Sequence, residues 1–152
     1  MLFALDNPVF ATFALTAALT AFKIIGQGWV VIWVMMRAHA GWAAPEDLRA
    51  GPLNPAPDPS QMTEPEAVAR ARRMHRNDLE NIPAFWAAGL VLVAADPPLW
   101  AAQVLMWGFV AARAGHAWAY GTAQRHETRA TFYTVATILT AIMLVWGIAA
   151  AL

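Results

Sequence analysis

The sequence predicts an all-α membrane protein, a four-helix transmembrane bundle formed by a single domain over residues 1–152. Two observations predict this. Hydrophobic residues make up 59% of the chain and charged residues only 13%, with eight tryptophans and a mean hydropathy of +0.44. An ordinary soluble domain is less apolar and about twice as charged. The second observation is the pattern: apolar segments long enough to cross about 30 Å of hydrocarbon, at 1.5 Å per helical residue, alternate with breaks rich in proline, glycine or charge. The chain has no cysteine, which excludes a disulfide framework, a thiolate metal ligand and a protein thiol nucleophile. Its net charge is zero, which offers nothing to a nucleic-acid partner.

The first span is expected over about residues 9–36, where Lys23 and Gln27 are the only strongly polar members. No basic segment precedes it, and its apolar run is longer than that of a signal peptide, so it is expected to stay in the mature protein. Residues 37–61, with the run Ala44-Pro45-Glu46-Asp47, Gly51 and the prolines from Pro52 to Pro59, read as an irregular loop outside lipid. Thr63-Glu64-Pro65-Glu66 then has the form of a capping box, with Thr63 as N-cap. The second helix is expected over about residues 66–95, basic and amphipathic to Glu80 and apolar from Ile82, ending at Asp96-Pro97-Pro98. Pro83 should bend this helix without ending it, because neighbouring helices can satisfy the freed carbonyl. The third span, about residues 99–121, carries Arg113, His116 and Tyr120 within about 60° of arc. The fourth, about residues 127–152, carries Arg129, Tyr133 and Thr137, with Ala130 and Thr134 beside them.

Four spans place both termini on one side. Nearly every arginine falls on the other, so the positive-inside rule makes the basic side cytoplasmic and sets the polar residues at the cytoplasmic end of an integral, multi-pass membrane protein. There the second helix presents Arg70, Arg73, Arg76, Asn77 and Glu80 within an arc of about 120°. Guanidinium forks suit carboxylates, so this inventory fits a small, multiply anionic ligand with one ammonium group, the arginines taking the carboxylates and Glu80 the amine. Each residue also has a plainer reading. Arg70 and Arg72 could meet lipid phosphate, Arg76 and Glu80 could form an internal salt bridge, and His116 and Tyr133 could be packed interior residues. Lys23 and Asp78 lie at similar depths, which predicts a buried pair between the first two helices. His39, His75, His116 and His126 show no ligand spacing, and no metal site is expected.

The run RARRMHRNDLENIPAF over residues 70–85, then Arg113-x-x-His116-x-x-x-Tyr120 and Arg129-x-x-x-Tyr133-Thr134, resembles the MAPEG family, the membrane-associated proteins of eicosanoid and glutathione metabolism. The resemblance covers nearly the whole chain and is nearest to the microsomal glutathione transferase and prostaglandin E synthase branch. It implies a homotrimer with glutathione as co-substrate in a cavity between subunits, and a hydrophobic electrophile or lipid hydroperoxide entering from membrane lipid. Carried onto this chain, it implies glutathione-binding roles for Arg37, Arg73, Arg76, Asn77, Glu80, His116, Tyr120, Arg129, Tyr133, Thr134 and Thr137. It also implies a supporting catalytic role for Asp47.

The chemistry of the residues agrees with that implication. A thiol with a reference pKa of about 8.5 is little ionised at neutral pH. Arg129, a fixed cation in the first turn of the fourth helix, adds to the helix dipole in stabilising a thiolate. Arg129 is therefore the expected activating residue, with Tyr133 a secondary donor. The prostaglandin synthase branch has a serine directly after that arginine where this chain has Ala130, which argues against prostaglandin isomerase activity. Conjugation of glutathione or hydroperoxide reduction is the expected reaction. A non-enzymatic lipid-binding or scaffold protein on the same fold is the alternative. A small exporter fits worse, since Glu80 lies among arginines.

Overall fold

A computed structural model describes every residue from Met1 to Leu152. Four long helices dominate: α1 (Pro8–Ala38), α2 (Glu66–Ala94), α3 (Leu99–Gly121) and α4 (His126–Ala151). Short 3₁₀ turns over Pro45–Leu48 and Pro59–Met62 lie in the long connection, and there are no strands. All four expected helices are present, with ends within about two residues of those read from sequence.

The helices form a diamond. α2 and α3 pack against each other and against both outer helices, whereas α1 and α4 do not touch. Only α1 and α4 are long and apolar enough to cross a membrane by composition alone. The arrangement explains this difference. An outer helix presents most of its circumference to its surroundings, as Leu15, Phe22, Trp29 and Trp33 do on α1 and Ile138, Val145 and Ile148 on α4. A central helix can carry charge, provided that the charge faces another helix.

The core runs between the four helices. Phe85 of α2 and Phe109 of α3 stack with ring centroids 4.1 Å apart and planes 5° from parallel. Ile82, Leu92, Met106 and Met143 are fully buried around them. Small residues set the closest approaches. A methyl group built on Gly115 would lie 2.3 Å from the ring of Phe132, so a glycine there lets α4 seat against α3. Trp86 donates to the Thr20 hydroxyl at 2.9 Å, joining α2 to α1. Pro83 sits inside α2 without interrupting it.

The start of α2 departs from the expected capping box. Thr63 ends the preceding 3₁₀ turn, and α2 begins at Glu66 after Pro65 with no side-chain cap. Proline at 65 already holds extended backbone geometry, and the Glu66 carboxylate pairs with Arg73 instead, at 2.6 Å. The long connection is tied down nonetheless. Arg72 reaches back to the Gly41 carbonyl at 2.6 Å and to Glu64 at 2.5 Å, so it anchors the loop and not a lipid phosphate. At its far end, the Ser60 hydroxyl and, at 2.8 Å, the Ser60 backbone N–H both hydrogen-bond Asp58, and these bonds, the hydroxyl's first, hold the Asp58 carboxyl below the usual carboxylate range.

Candidate functional site

A cavity of about 540 Å³ opens at the end of the bundle nearest the α3–α4 connection. Helical spacing explains which residues reach it, because positions three and four apart share a face. α2 supplies Arg73 and Asn77, α3 supplies His116 and Tyr120, and α4 supplies His126, Arg129, Ala130 and Tyr133. The close contact at Gly115 and Phe132 brings the α3 and α4 sets together, since each lies one residue before a lining residue.

Arg129 is the central cation of this cavity. Its guanidinium carbon lies 4.9 Å over the ring of Tyr120, and its Nε is buried with no hydrogen-bond partner. The Tyr120 ring in turn lies 4.9 Å from that of His116. Arg73, paired with Glu66, lines the cavity from α2. A half-buried cation whose buried Nε is a free donor, in a cavity lined by two imidazoles and two phenols, is suited to hold an anion.

Behind the cavity wall lies a buried polar network joining three helices. Lys23 of α1 and Arg113 of α3 both pair with Asp78 of α2, as the depth argument anticipated for Lys23. Arg113 Nε donates to Asp78 Oδ1 at 2.7 Å, and its Nη2 donates to Asn77 Oδ1 at 2.7 Å. The same Nη2 lies 3.3 Å from His116 Nδ1. Arg113 thus differs from the sequence expectation. It shares a helix face with His116 and Tyr120 but is completely buried, turned to Asp78, and absent from the cavity lining. A buried carboxylate on the neighbouring α2, within hydrogen-bond distance, outcompetes an open cavity for its guanidinium.

Of the residues expected to bind ligand, six converge on the cavity: Arg73, Asn77, His116, Tyr120, Arg129 and Tyr133. The others lie outside it. Arg37 stacks over the Trp33 ring at 4.8 Å, and Asp47 accepts from the Ala44 backbone N–H at 3.1 Å. Arg76, Glu80 and Thr134 are exposed on the outer surface, and the Thr137 hydroxyl donates to the Tyr133 carbonyl at 3.0 Å. His126 was missed by sequence reasoning. Its signal was the series 126, 129, 130 and 133, which continues the α4 stripe one turn toward the N-terminus.

The α4 surface changes character beyond the cavity. Ile138, Ala141, Ile142, Val145, Trp146 and Ala149 line a wholly apolar groove of about 520 Å³. A polar cavity and an apolar groove therefore share one helix, five residues apart at their nearest members.

The sequence compares with known proteins over nearly its full length. A prostaglandin E synthase of Equus caballus is 35% identical over 138 residues, which cover 88% of this chain and 86% of that protein. The model of the MAPEG family matches residues 8–149. Matches of that extent, to a bundle with two helices long and apolar enough to cross a membrane, establish that the chain belongs to the MAPEG family.

Proposed function

We propose that the protein is an integral-membrane enzyme that joins the thiolate of glutathione to a hydrophobic electrophile, or uses it to reduce a lipid hydroperoxide. The observation that carries this reading is the cavity itself, in which Arg129 offers an unpartnered buried donor among Asn77, His116, Tyr120 and Tyr133. Arg129 stabilises the thiolate through its charge and through its place in the first turn of α4, where the helix dipole acts in the same sense. The thiol proton leaves to solvent, sulfur forms the new bond to the electrophilic carbon, and the leaving group departs with its electron pair. The apolar groove on α4 suits the hydrophobic reactant.

In this reading the chain crosses the membrane four times, with the cavity toward the cytoplasm and both termini opposite. It assembles as a homotrimer in which the outward-facing Arg76, Glu80 and Thr134, together with Arg37, Asp47 and Thr137, approach the glutathione of a neighbouring subunit. The exposure of Arg37, Arg76, Glu80, Thr134 and Thr137 in the single chain is compatible with such an interface. No resident metal takes part.

The test is turnover of a chloronitrobenzene electrophile by purified protein. Conjugation should require glutathione, and Arg129→Ala should lower kcat/KM by at least about a hundredfold, the scale seen when one oxyanion donor is removed. Normal turnover by that variant would refute the role given to Arg129. A lipid-binding scaffold is the second reading, favoured by the apolar groove. It would displace the first if calorimetry detected no glutathione binding.

A further inference from the structure

Arg113 lines no part of the cavity, yet it touches two residues that do. We propose that Arg113, anchored by Asp78, is a positioning residue that fixes Asn77 and His116 as hydrogen-bond donors to the cavity and so selects anionic ligand groups. Its role as a glutathione selector rests on the function proposed above, but its effect on the two side chains does not.

A guanidinium can only donate. Because Arg113 Nη2 donates to Asn77 Oδ1 at 2.7 Å, the amide oxygen is held toward the bundle interior, and the two N–H groups are left for the cavity. At 3.3 Å from the same Nη2, His116 Nδ1 must accept. The proton of the neutral ring then sits on Nε2, and the ring offers an N–H. Arg113 is itself held in place, since Asp78 binds its Nε at 2.7 Å while the other carboxylate oxygen takes Lys23. Residues of α1, α2 and α3 thus combine to set the polarity of a wall they only partly form. Without Arg113 the amide can turn over and the imidazole can adopt either tautomer. Each change would aim a lone pair at the ligand carboxylate or thiolate.

Arg113→Met is the informative variant, because it leaves a balanced Lys23–Asp78 pair in the interior and not an orphaned charge. The readouts are histidine ring ¹⁵N resonances of the full-length protein in micelles, assigned with His116→Gln, and the Kd for S-methylglutathione, whose thioether removes thiol ionisation from the measurement. Wild type should show His116 only as the Nε2–H tautomer. Arg113→Met should show both tautomers and bind S-methylglutathione about tenfold more weakly, the loss of one charge-assisted donor. Arg113→Lys, which keeps the charge but lacks the fork, should resemble Arg113→Met. A single tautomer and unchanged Kd in Arg113→Met would overturn the proposal and leave Arg113 a structural ion. If the variants fail to fold, wild type alone decides, since an Nδ1–H tautomer or a mixture there overturns the positioning and Nε2–H alone supports it. A fixed Nε2–H tautomer in a protein that binds no S-methylglutathione would support the positioning and refute glutathione as the ligand.

Discussion

Replacing Asp78 by leucine should be among the most damaging single changes in the chain, and its cost can be worked from the network around it. The carboxylate is completely buried and shared by two cations, Arg113 with a side chain of 0% exposure and Lys23 with one of 19%. Removing one member of a buried pair costs about 3–5 kcal/mol, because the remaining charge keeps its desolvation penalty and loses its compensation. Arg113 accounts for that full amount. Lys23 adds less, since its partly exposed ammonium can turn toward a more polar surrounding. Against a total stability of about 5–15 kcal/mol, Asp78→Leu should therefore sit at the edge of folding. Lys23→Met leaves the Asp78–Arg113 pair intact and should cost less than about 2 kcal/mol, within the ordinary range of single substitutions. The double variant Asp78→Leu/Arg113→Met removes both halves of the deeper pair, and a coupling of about 2–3 kcal/mol should make it more stable than Asp78→Leu alone. Unfolding by sodium dodecyl sulfate from mixed micelles, followed by helical circular dichroism, gives these differences directly. An Asp78→Leu protein within about 1 kcal/mol of wild type would refute the reasoning, since it would mean that the two cations find equal solvation without their carboxylate.

Three other outcomes follow from features outside that network. Gly115→Ala places a methyl 2.3 Å from Phe132 and should cost about 1–3 kcal/mol by overpacking, with a matching loss of glutathione affinity as α4 is pushed from α3; the same unfolding titration and calorimetry check it. His126→Leu removes a polar group from the rim of the cavity and should weaken S-methylglutathione binding by about two- to fivefold, the scale of one exposed hydrogen bond. Because its folded-state pKa is lowered, Asp58 stabilises its turn above the ordinary value of 3.8, and this contribution is lost as pH falls through the folded pKa. Amide exchange at Ser60 should accordingly rise, relative to its intrinsic rate, only at pH values below 3.8.

Much of this architecture was legible in the sequence, for reasons that differ by residue. Helix existence and ends were read from runs of apolar residues broken by Asp96-Pro97-Pro98 and by the loop prolines, which are strong local signals. The Lys23–Asp78 pair was legible because a charge at mid-membrane has few partners at its own depth. Arg113 was placed on one face of α3 with His116 and Tyr120, but its partner was not legible. Helical spacing gives a direction, whereas the group met in that direction depends on how α2 is rotated, and that rotation is set by the packing of Phe85, Ile82 and their contacts. Thr63 failed as a cap because a matching sequence of residue types does not fix backbone geometry when Pro65, in an extended conformation, already occupies the position before the first helical residue. His126 was overlooked because it falls just before the fourth span read from residue 127, whereas it is the first residue of α4.

If the chain crosses the membrane four times, as proposed above, the diamond arrangement also bears on how it enters a bilayer. α1 and α4 can partition from the translocon into lipid on their own composition. α2 and α3 are different, since Asp78 and Arg113 each carry a penalty of about 2.5–3.5 kcal/mol at the centre of an isolated helix. Only the short link Ala95 to Pro98 separates them in sequence, so they can emerge together as a hairpin whose two charges neutralise each other before either faces lipid. The ion pair that orders the cavity wall would then also have served as the condition for inserting the middle half of the molecule.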